Sequence, residues 1–152
     1  MERKGFIGGS DAPIILGLSP WKSPYQLWLE KTGQEEPEDI SDLDYVHFGV
    51  VLEDVVAREW ALRHNRKVRR MNNRAVHPKH DFILAQIDRR IVGGGILECK
   101  TTGAHNGDDW LSGPPAHYWV QVQHQMMTAE IDNAAIAVLI GGQRYADFEI
   151  SA

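Results

Sequence analysis

The sequence predicts an α+β fold, arranged as α/β/α layers, in which a mixed central β-sheet is flanked by helices. Helical spacing and helix-capping residues run from residue 10 to residue 64, and strand patterns follow from residue 67 to residue 101. One more helix and two further strands complete this order of elements. The length of 152 residues is enough for one domain with its own core, so we expect a single domain over residues 1–152.

Two short helices are expected first. The segment DAPIILG forms the first, which ends at Gly17 and can be capped by Ser10 or Asp11. The second lies within SPYQLWLEKTG, where Ser23 is the cap and Gly33 ends the helix. Both segments carry a proline near their first turn, which is a typical position for proline in a helix.

A long helix is predicted from Asp44 to His64. Residues at helical spacing form one stripe along it, made of Val46, Val50, Glu53, Ala57 and Trp60. Glu53 therefore occupies a position where an apolar residue is expected. Either its carboxylate reaches solvent at the edge of the stripe, or the position serves a purpose that an apolar residue could not.

Strand patterns begin after this helix. KVRRM and RAV are short strands, DFILAQID is a strand that ends at Asp88, and RIVGG turns through Gly93–Gly95 into GILECKTT. Pro114 and Pro115 open the helix AHYWVQVQHQMMTAE. The apolar run NAAIAVLIGG is typical of a fully buried strand, and RYADFEI has the alternation of a half-buried one.

Charge is unevenly distributed over a chain whose formal net charge is −5. Residues 35–44 hold six acids and no base, which is typical of an exposed linker between helices. Residues 63–74 hold six Lys or Arg and no acid, which suits contact with a phosphate backbone, although a solvated hairpin would have the same composition. The residues expected to contact DNA are the densest part of this stretch, Arg66, Lys67, Arg69 and Arg70.

Composition excludes several classes of protein and site. The single cysteine, Cys99, excludes an internal disulfide, a cysteine-built zinc site and a four-cysteine iron–sulfur cluster. No apolar run reaches the length of a membrane span, and the segment MERKGFIGGSD lacks the apolar core of a signal peptide. We therefore expect a cytoplasmic protein without a membrane partner.

The stretch GILECKTTG places two charges on one face of a predicted strand. Ile96, Glu98 and Lys100 point the same way because side chains alternate along a strand. A buried charge is costly unless it is paired or binds an ion, so a plain Glu–Lys pair is one interpretation. Asp88 suggests a second interpretation of these charges. If its strand lies beside this one, Asp88 and Glu98 converge and repel each other unless a hard cation such as Mg²⁺ lies between them.

Two residues on the predicted helices can join this group. Glu53 can supply a third carboxylate from the long helix. Gln121 lies at the edge of the Trp119–Val122–Met126 stripe of the later helix and can supply a neutral hydrogen-bonding group. Lys100 would then face a water molecule or a phosphate oxygen.

These residues resemble the D…E-x-K signature of the PD-(D/E)XK nuclease superfamily, with Asp88 followed ten residues later by Glu98-x-Lys100. Four blocks extend the resemblance in the expected order, from about Ile7 to Ile140: IGGSDAPIILGLSPWKSPYQLWLEKTG, FGVVLEDVVAREW, HPKHDFILAQIDRRIVGGGILECKTT and HYWVQVQHQM. They resemble the YqaJ-like viral recombinase family, whose relatives include phage lambda exonuclease. The resemblance implies a restriction-endonuclease-like core.

The resemblance implies an exonuclease, dependent on Mg²⁺ or Mn²⁺, that degrades one strand of linear double-stranded DNA from its 5′ end. It implies a role in phage-type recombination by single-strand annealing, with a single-strand annealing protein as partner. A ring-like homo-oligomer, such as a trimer, is also implied. The implied origin is a phage or prophage gene expressed in a bacterial host.

The resemblance also implies roles for individual residues. Asp88, Glu98 and the backbone carbonyl of Cys99 would hold one metal ion. Glu53 would hold a second ion, directly or through water. Lys100 would orient or help to deprotonate the attacking water and stabilise developing charge.

Two polar residues complete the implied site. Gln121 matches the first glutamine of the QVQ block and would position the metal ligands or the Lys100 ammonium. Ser10 follows two glycines at the start of a helix, where a phosphate can be bound, and simple capping is the other interpretation of that serine. Capping is the role expected for Asp11.

Two features depart from the family pattern. Arg89 follows Asp88 where many superfamily members carry glycine. The sequence also ends at Ala152, whereas longer relatives continue with further helices, so we expect a minimal or C-terminally short version of the domain.

Three alternatives stay open. A structure-selective or nicking endonuclease of the same superfamily would use the same residues. A non-catalytic DNA-binding module would keep the fold, although such a module has no need of a costly charged cluster. A structural domain with an incidental Glu98–Lys100 pair is the third, and the four ordered blocks argue against it.

Overall fold

The computed structural model describes residues 5–152, so the first four residues of the N-terminal segment considered above lie outside the described residues. The helices are α1 (Ala12–Ile15), α2 (Pro24–Lys31), α3 (Asp44–His64) and α4 (Ala116–Ala129), with a 3-10 helix at Ala104–Trp110. The strands are β1 (Val68–Arg70), β2 (Ala75–His77), β3 (His80–Ala85), β4 (Arg89–Ile91), β5 (Ile96–Thr102), β6 (Asn133–Ile140) and β7 (Arg144–Ser151). The predicted α+β class is confirmed.

Five strands form the central sheet in the order β1-β4-β5-β6-β7. The pair β5–β6 is parallel and the other neighbours are antiparallel, so the sheet is mixed, as predicted. A parallel pair needs a crossover connection, which the 3-10 helix and α4 supply. β2 and β3 form a separate antiparallel hairpin that packs against α4.

Two hydrophobic clusters place helices on both faces of the sheet. One cluster joins β5 and β6 to α4 through Ile96, Ile136, Val138, Val122 and Met126. The other joins the opposite face to α3 through Leu97, Ala135, Ala137, Val56 and Trp60. Since side chains alternate along a strand, the even-numbered residues of β5 face α4 and the odd-numbered residues face α3. This is the predicted α/β/α layering.

The predicted helix boundaries depend on local capping. Ser23 accepts a hydrogen bond from the Gln26 N–H at 3.2 Å, and the Gln26 side chain accepts one from the Ser23 N–H at 3.0 Å. This capping box fixes the start of α2. α3 ends where predicted because Asn65 adopts the left-handed conformation that closes a helix.

Asp11 does not cap α1 with its side chain, so that expectation is wrong. The residue stands at the N-cap position, but its carboxylate makes no capping hydrogen bond. Instead Oδ2 accepts the Gly8 N–H at 2.8 Å and pairs with Nζ of Lys31 at 2.7 Å. The carboxylate therefore ties the N-terminal segment to α2.

The predicted apolar stripes are partly wrong. Val50 of α3 is largely exposed, because the burial of this helix begins only at Val56. Trp119 of α4 is also exposed, while Val122 and Met126 are buried as predicted. None of the helices within residues 5–152 is long and apolar enough to cross a membrane.

The predicted strand DFILAQID is interrupted before its end. β3 stops at Ala85, and Asp88 directly precedes β4. The backbone carbonyl of Gln86, which a continuing strand would use in its ladder, accepts a hydrogen bond from the Gln125 side chain at 3.0 Å. The β4–β5 turn lies at the predicted glycines, Gly93–Gly95, whose φ angles of +93°, +123° and +100° favour glycine.

Candidate active site

Asp88 and Glu98 meet where β4 begins beside β5. The antiparallel register aligns Arg89 with Leu97, and its continuation by one residue sets Asp88 opposite Glu98. Oδ2 of Asp88 accepts a hydrogen bond from the Cys99 N–H at 2.8 Å, which fixes the carboxylate against β5. Because opposed residues of a sheet point to the same face, both carboxylates lie on the α4 face.

Glu98 is 3% exposed, and both oxygens of its carboxylate have donors. Oε1 accepts a hydrogen bond from Nε2 of Gln121 at 2.7 Å and pairs with Nζ of Lys100 at 2.6 Å. Oε2 accepts a hydrogen bond from Nε2 of Gln125 at 2.7 Å. Nζ of Lys100 also donates to Oε1 of Gln121 at 3.0 Å. The Glu–Lys pair is therefore present, and Gln121 joins its two ends in one network.

The charges in this network shift its pKa values. The pKa of Asp88 is raised well above its ordinary value, first by burial and then by repulsion from Glu98. Burial lowers the pKa of Lys100, but the charge of Glu98 and the hydrogen bond to it outweigh burial and raise that pKa. Lys100 is therefore an ammonium ion at neutral pH, and Asp88 holds its proton more tightly than an ordinary aspartate does unless a further cation is nearby.

The oxygen donors of this pair suit a hard divalent cation, which would remove the repulsion between Asp88 and Glu98. The Cys99 side chain packs in the cluster on the α3 face, opposite to the two carboxylates, so only the backbone of this residue can reach a cation held between them. Across residues 5–152 no three His, Cys, Asp or Glu side chains are gathered as a metal site. An ion held by two carboxylates would therefore keep water or substrate oxygens as ligands.

Glu53 does not join the two carboxylates. Arg89, which is 3% exposed, forms an ion pair with Glu53 and a second one with Oδ1 of Asp54 at 3.2 Å. It also donates a hydrogen bond to the backbone carbonyl of Asp88 at 2.7 Å. A buried guanidinium needs such partners, which explains why a glutamate interrupts the apolar stripe of α3. The metal-binding role of Glu53 stays a prediction.

Gln125 is a site residue that the sequence interpretation missed. Its side chain is fully buried, and Nε2 donates to Oε2 of Glu98 as well as to the backbone carbonyl of Gln86. Gln125 follows Gln121 by one helical turn, so both amides face the sheet from α4. The i, i+4 spacing of glutamines within QVQHQ is the signal that could have revealed it.

Two clefts meet at this network. A smaller cleft of about 250 Å³ reaches Asp88 and Glu98, and a larger one of about 890 Å³ reaches Lys100. Three residues line both clefts, namely Ser10, Asp11 and Gln121. The two clefts are therefore adjacent at the charged network.

Ser10 is exposed at the junction of the clefts. The preceding Gly9 is buried so close to α4 that a Cβ there would come within 3.3 Å of the Gln121 side chain. This close approach holds the glycine segment beside the network. Contact between Ser10 and a phosphate stays a prediction.

The four residues predicted to bind DNA are exposed on and just before the edge strand β1: Arg66, Lys67, Arg69 and Arg70. Arg70 stands opposite Arg89 of β4, one residue from Asp88. Arg66 also holds the β4–β5 turn, since its guanidinium donates to two carbonyls of that turn at 3.2 Å. The Arg70 side chain therefore points to the α3 face, as that of Arg89 does, and contact of this basic edge with DNA stays a prediction.

A further basic residue, Arg74, lines the smaller cleft together with Asp88 and Glu98. Its guanidinium lies 4.8 Å from the centre of the Phe6 ring. Arg74 belongs to the basic stretch 63–74 but not to the four residues singled out from it. Only the tertiary fold, which lays the β2–β3 hairpin against α4, brings it to the cleft.

Known proteins share the sequence and the fold of this chain. Residues 1–132 match the family model described as the YqaJ-like viral recombinase domain. The chain is 49% identical over 154 residues to the uncharacterized protein YqaJ of Bacillus subtilis (strain 168). That match covers 99% of this chain and 48% of the relative, so the chain spans about half the length of that protein.

Solved structures share the fold. The alkaline exonuclease LHK-Exo of Laribacter hongkongensis matches with a TM-score of 0.75 at 15% identity, over 98% of this chain and 78% of that chain. The structure of LHK-Exo in complex with dAMP matches with a TM-score of 0.73 at 17% identity, over the same shares. At this identity the likeness concerns the fold alone.

Proposed function

Because the chain belongs to the YqaJ-like viral recombinase domain family, we propose that it is a metal-dependent nuclease that hydrolyses phosphodiester bonds in DNA. The observation that carries the proposal is the buried pair of carboxylates, Asp88 and Glu98, beside the Lys100 ammonium at the meeting point of two clefts. Such a group is costly to bury in a domain that binds no cation there. The fold shared with an alkaline exonuclease supports the same reaction class.

The carboxylates and one backbone carbonyl would hold the cation. Asp88 and Glu98 are the side-chain ligands in this proposal, and the Cys99 carbonyl is the third protein ligand. When bound, Mg²⁺ or Mn²⁺ would neutralise charge on the scissile phosphate and lower the pKa of a water ligand. Gln121 and Gln125 hold the Glu98 carboxylate from α4, so their amides set the direction of its oxygens.

Lys100 would act as a charged donor. Its raised pKa keeps it an ammonium at neutral pH, so it would orient the attacking water or stabilise negative charge on the phosphate. Deprotonation of the water by Lys100 would first require loss of its own proton. The carbonyl oxygen of Gln121 accepts from Nζ at 3.0 Å and would keep the ammonium directed at the site.

Glu53 would hold a second ion only if it left Arg89. In the pair described above, the guanidinium occupies the carboxylate that the second ion would need. We therefore propose that the first ion depends on Asp88 and Glu98, and that a second ion binds only after the Glu53 side chain turns away from Arg89.

We propose exonucleolytic action from the 5′ end of linear duplex DNA, in support of recombination by single-strand annealing. The description of the family as a viral recombinase domain supports the recombination role. A dAMP complex of a structurally similar exonuclease supports release of mononucleotides. A single-strand annealing partner and a ring-like trimer belong to the same proposal.

Labelled substrates test this function. Linear duplex DNA carrying a 5′ label or a 3′ label, and a closed circular plasmid, are incubated with the protein in Mg²⁺, in Mn²⁺ and in EDTA. We expect early release of the 5′ label as a mononucleotide, late release of the 3′ label, an intact plasmid and no reaction in EDTA. Nicking of the plasmid would favour an endonuclease, and binding without cleavage in either metal would favour a non-catalytic module.

A further inference from the structure

Trp21 is an exposed indole in the wall of the larger cleft. The residue lies in the loop between α1 and α2, and 70% of it is exposed. Its ring meets the His117 ring edge-on, with centroids 4.9 Å apart, and lies 6.3 Å from the Tyr118 ring. An indole in this position gains little from burial, so its contribution to folding is small.

The Tyr118 ring lies near both Trp21 and the proposed catalytic residue Lys100. Tyr118 stacks on Trp110, with ring centroids 5.6 Å apart and planes 23° apart, so Trp110 restrains the Tyr118 ring. Nζ of Lys100 lies 4.7 Å from the centre of the Tyr118 ring. Both Trp21 and Lys100 line the larger cleft, so whatever occupies this cleft beside Lys100 can also reach the indole.

The charges of this cleft favour an uncharged occupant beside Trp21. Two of its lysines are already engaged, since Lys22 pairs with Glu30 at 2.7 Å and Lys31 pairs with Asp11 at 2.7 Å. Two further acids, Glu38 and Asp39, line the cleft. A phosphate group is repelled by such a wall, whereas a neutral aromatic base is not.

We propose that Trp21 stacks on a nucleobase of the DNA strand whose phosphate is cleaved beside Lys100. This inference rests on the proposed nuclease function and assigns a substrate-positioning residue to it. Stacking on an aromatic side chain tolerates every base, as a nuclease that digests arbitrary sequence requires. Inside a duplex both faces of a base are already stacked, so Trp21 selects for a base that is terminal or separated from its duplex.

Binding of single-stranded DNA tests the proposal. Fluorescence anisotropy measures the Kd of a labelled 20-nucleotide single strand in EDTA for the wild type, Trp21→Leu and Trp21→Phe. We expect Trp21→Leu to raise the Kd by about 5- to 150-fold, the range of one lost base stack. Trp21→Phe keeps a ring and should bind within a few-fold of the wild type.

Trp28 offers a matched control. It is 51% exposed, stacks on Tyr25 at 5.9 Å, and lines neither cleft. Trp28→Leu removes an indole that is also exposed but lies outside both clefts, so we expect it to leave the Kd unchanged. Equal Kd values for Trp21→Leu and Trp28→Leu, or a wild type that binds no single strand, would overturn the stacking proposal.

Abasic substrates identify the base that stacks. Each strand of a series lacks the base at one position. We expect the wild type to bind the strand more weakly than the intact one when one or two particular positions are abasic. The Trp21→Leu protein should bind those abasic strands and the intact strand with the same affinity. A loss of affinity of the same size in both proteins would contradict stacking.

Cleavage of labelled duplex DNA by the wild type is measured separately. A wild type that cleaves while Trp21→Leu binds normally refutes stacking alone, whereas a wild type that never cleaves refutes the nuclease function.

Discussion

Arg89 and Glu53 form an ion pair on the face of the sheet opposite to Glu98. Arg89 is the first residue of β4, and its side chain points toward α3, where Glu53 lies. Because the pair engages Glu53, two carboxylates rather than three remain beside Lys100 among the described residues.

The Arg89 pair predicts a large loss of stability when both acids are removed. Glu53→Gln alone leaves Arg89 with Asp54, whereas Glu53→Gln with Asp54→Asn leaves a buried guanidinium without a carboxylate. We expect the double variant to lose about 3–5 kcal/mol of unfolding free energy, measured by urea denaturation. The exposed Glu59–Arg63 pair of the same helix provides the control, since Glu59→Gln should leave the unfolding curve unchanged.

The substitution Lys100→Met distinguishes a catalytic role of Lys100 from a structural one. Without Lys100, Glu98 keeps both glutamine donors and can bind a proton, so we expect a loss of less than about 2 kcal/mol of unfolding free energy. Turnover on linear duplex DNA should fall by about 100-fold or more, because the charged donor at the phosphate is lost. A strongly destabilised Lys100→Met protein that cleaves at the wild-type rate would refute the catalytic role.

The raised pKa of Asp88 predicts a pH-dependent stability in the absence of metal. The folded protein holds the Asp88 proton more tightly than the unfolded chain, in which the pKa is near 3.8. This contribution to stability is present below pH 3.8 and is lost as pH rises through the raised pKa. In EDTA, Asp88→Asn should therefore become more stable than the wild type as pH increases. A difference in unfolding free energy that does not change with pH would contradict this.

The basic edge predicts salt-dependent affinity for DNA. Arg69 and Arg70 are exposed on β1 near Asp88, while Arg66 is also engaged in holding a turn. We expect Arg69→Glu with Arg70→Glu to weaken DNA binding similarly for all sequences and to reduce the salt slope by about one per lost phosphate contact. Affinity measured between low and moderate salt tests this, and an unchanged slope would exclude these arginines from the interface.

Much of the fold was predictable because its signals are local. The capping residues around Ser23, the bounds of α3 and the glycine turn at Gly93–Gly95 depend on short-range chemistry. The E-x-K alternation likewise placed Glu98 and Lys100 on one face before any tertiary information was available.

The rest depends on contacts between distant parts of the chain. β3 stops at Ala85 because the next carbonyl is bound by Gln125 of α4, which no strand pattern can reveal. The partner of Glu53 is Arg89, 36 residues away, so the sequence could show only that an acid interrupts an apolar stripe. The position of Arg74 in the cleft has the same origin.

The rate of cleavage of linear duplex DNA, measured against Mn²⁺ concentration for the wild type and Asp88→Asn, tests the central claim most directly. Asparagine still accepts the Cys99 N–H but offers a cation no charge, so the fold should be kept while the metal site is weakened. We predict that wild-type activity saturates with Mn²⁺ and that Asp88→Asn is slower by about 100-fold or more at every concentration. Equal rates with the same Mn²⁺ dependence would contradict the assignment of Asp88 and Glu98 as the catalytic metal site.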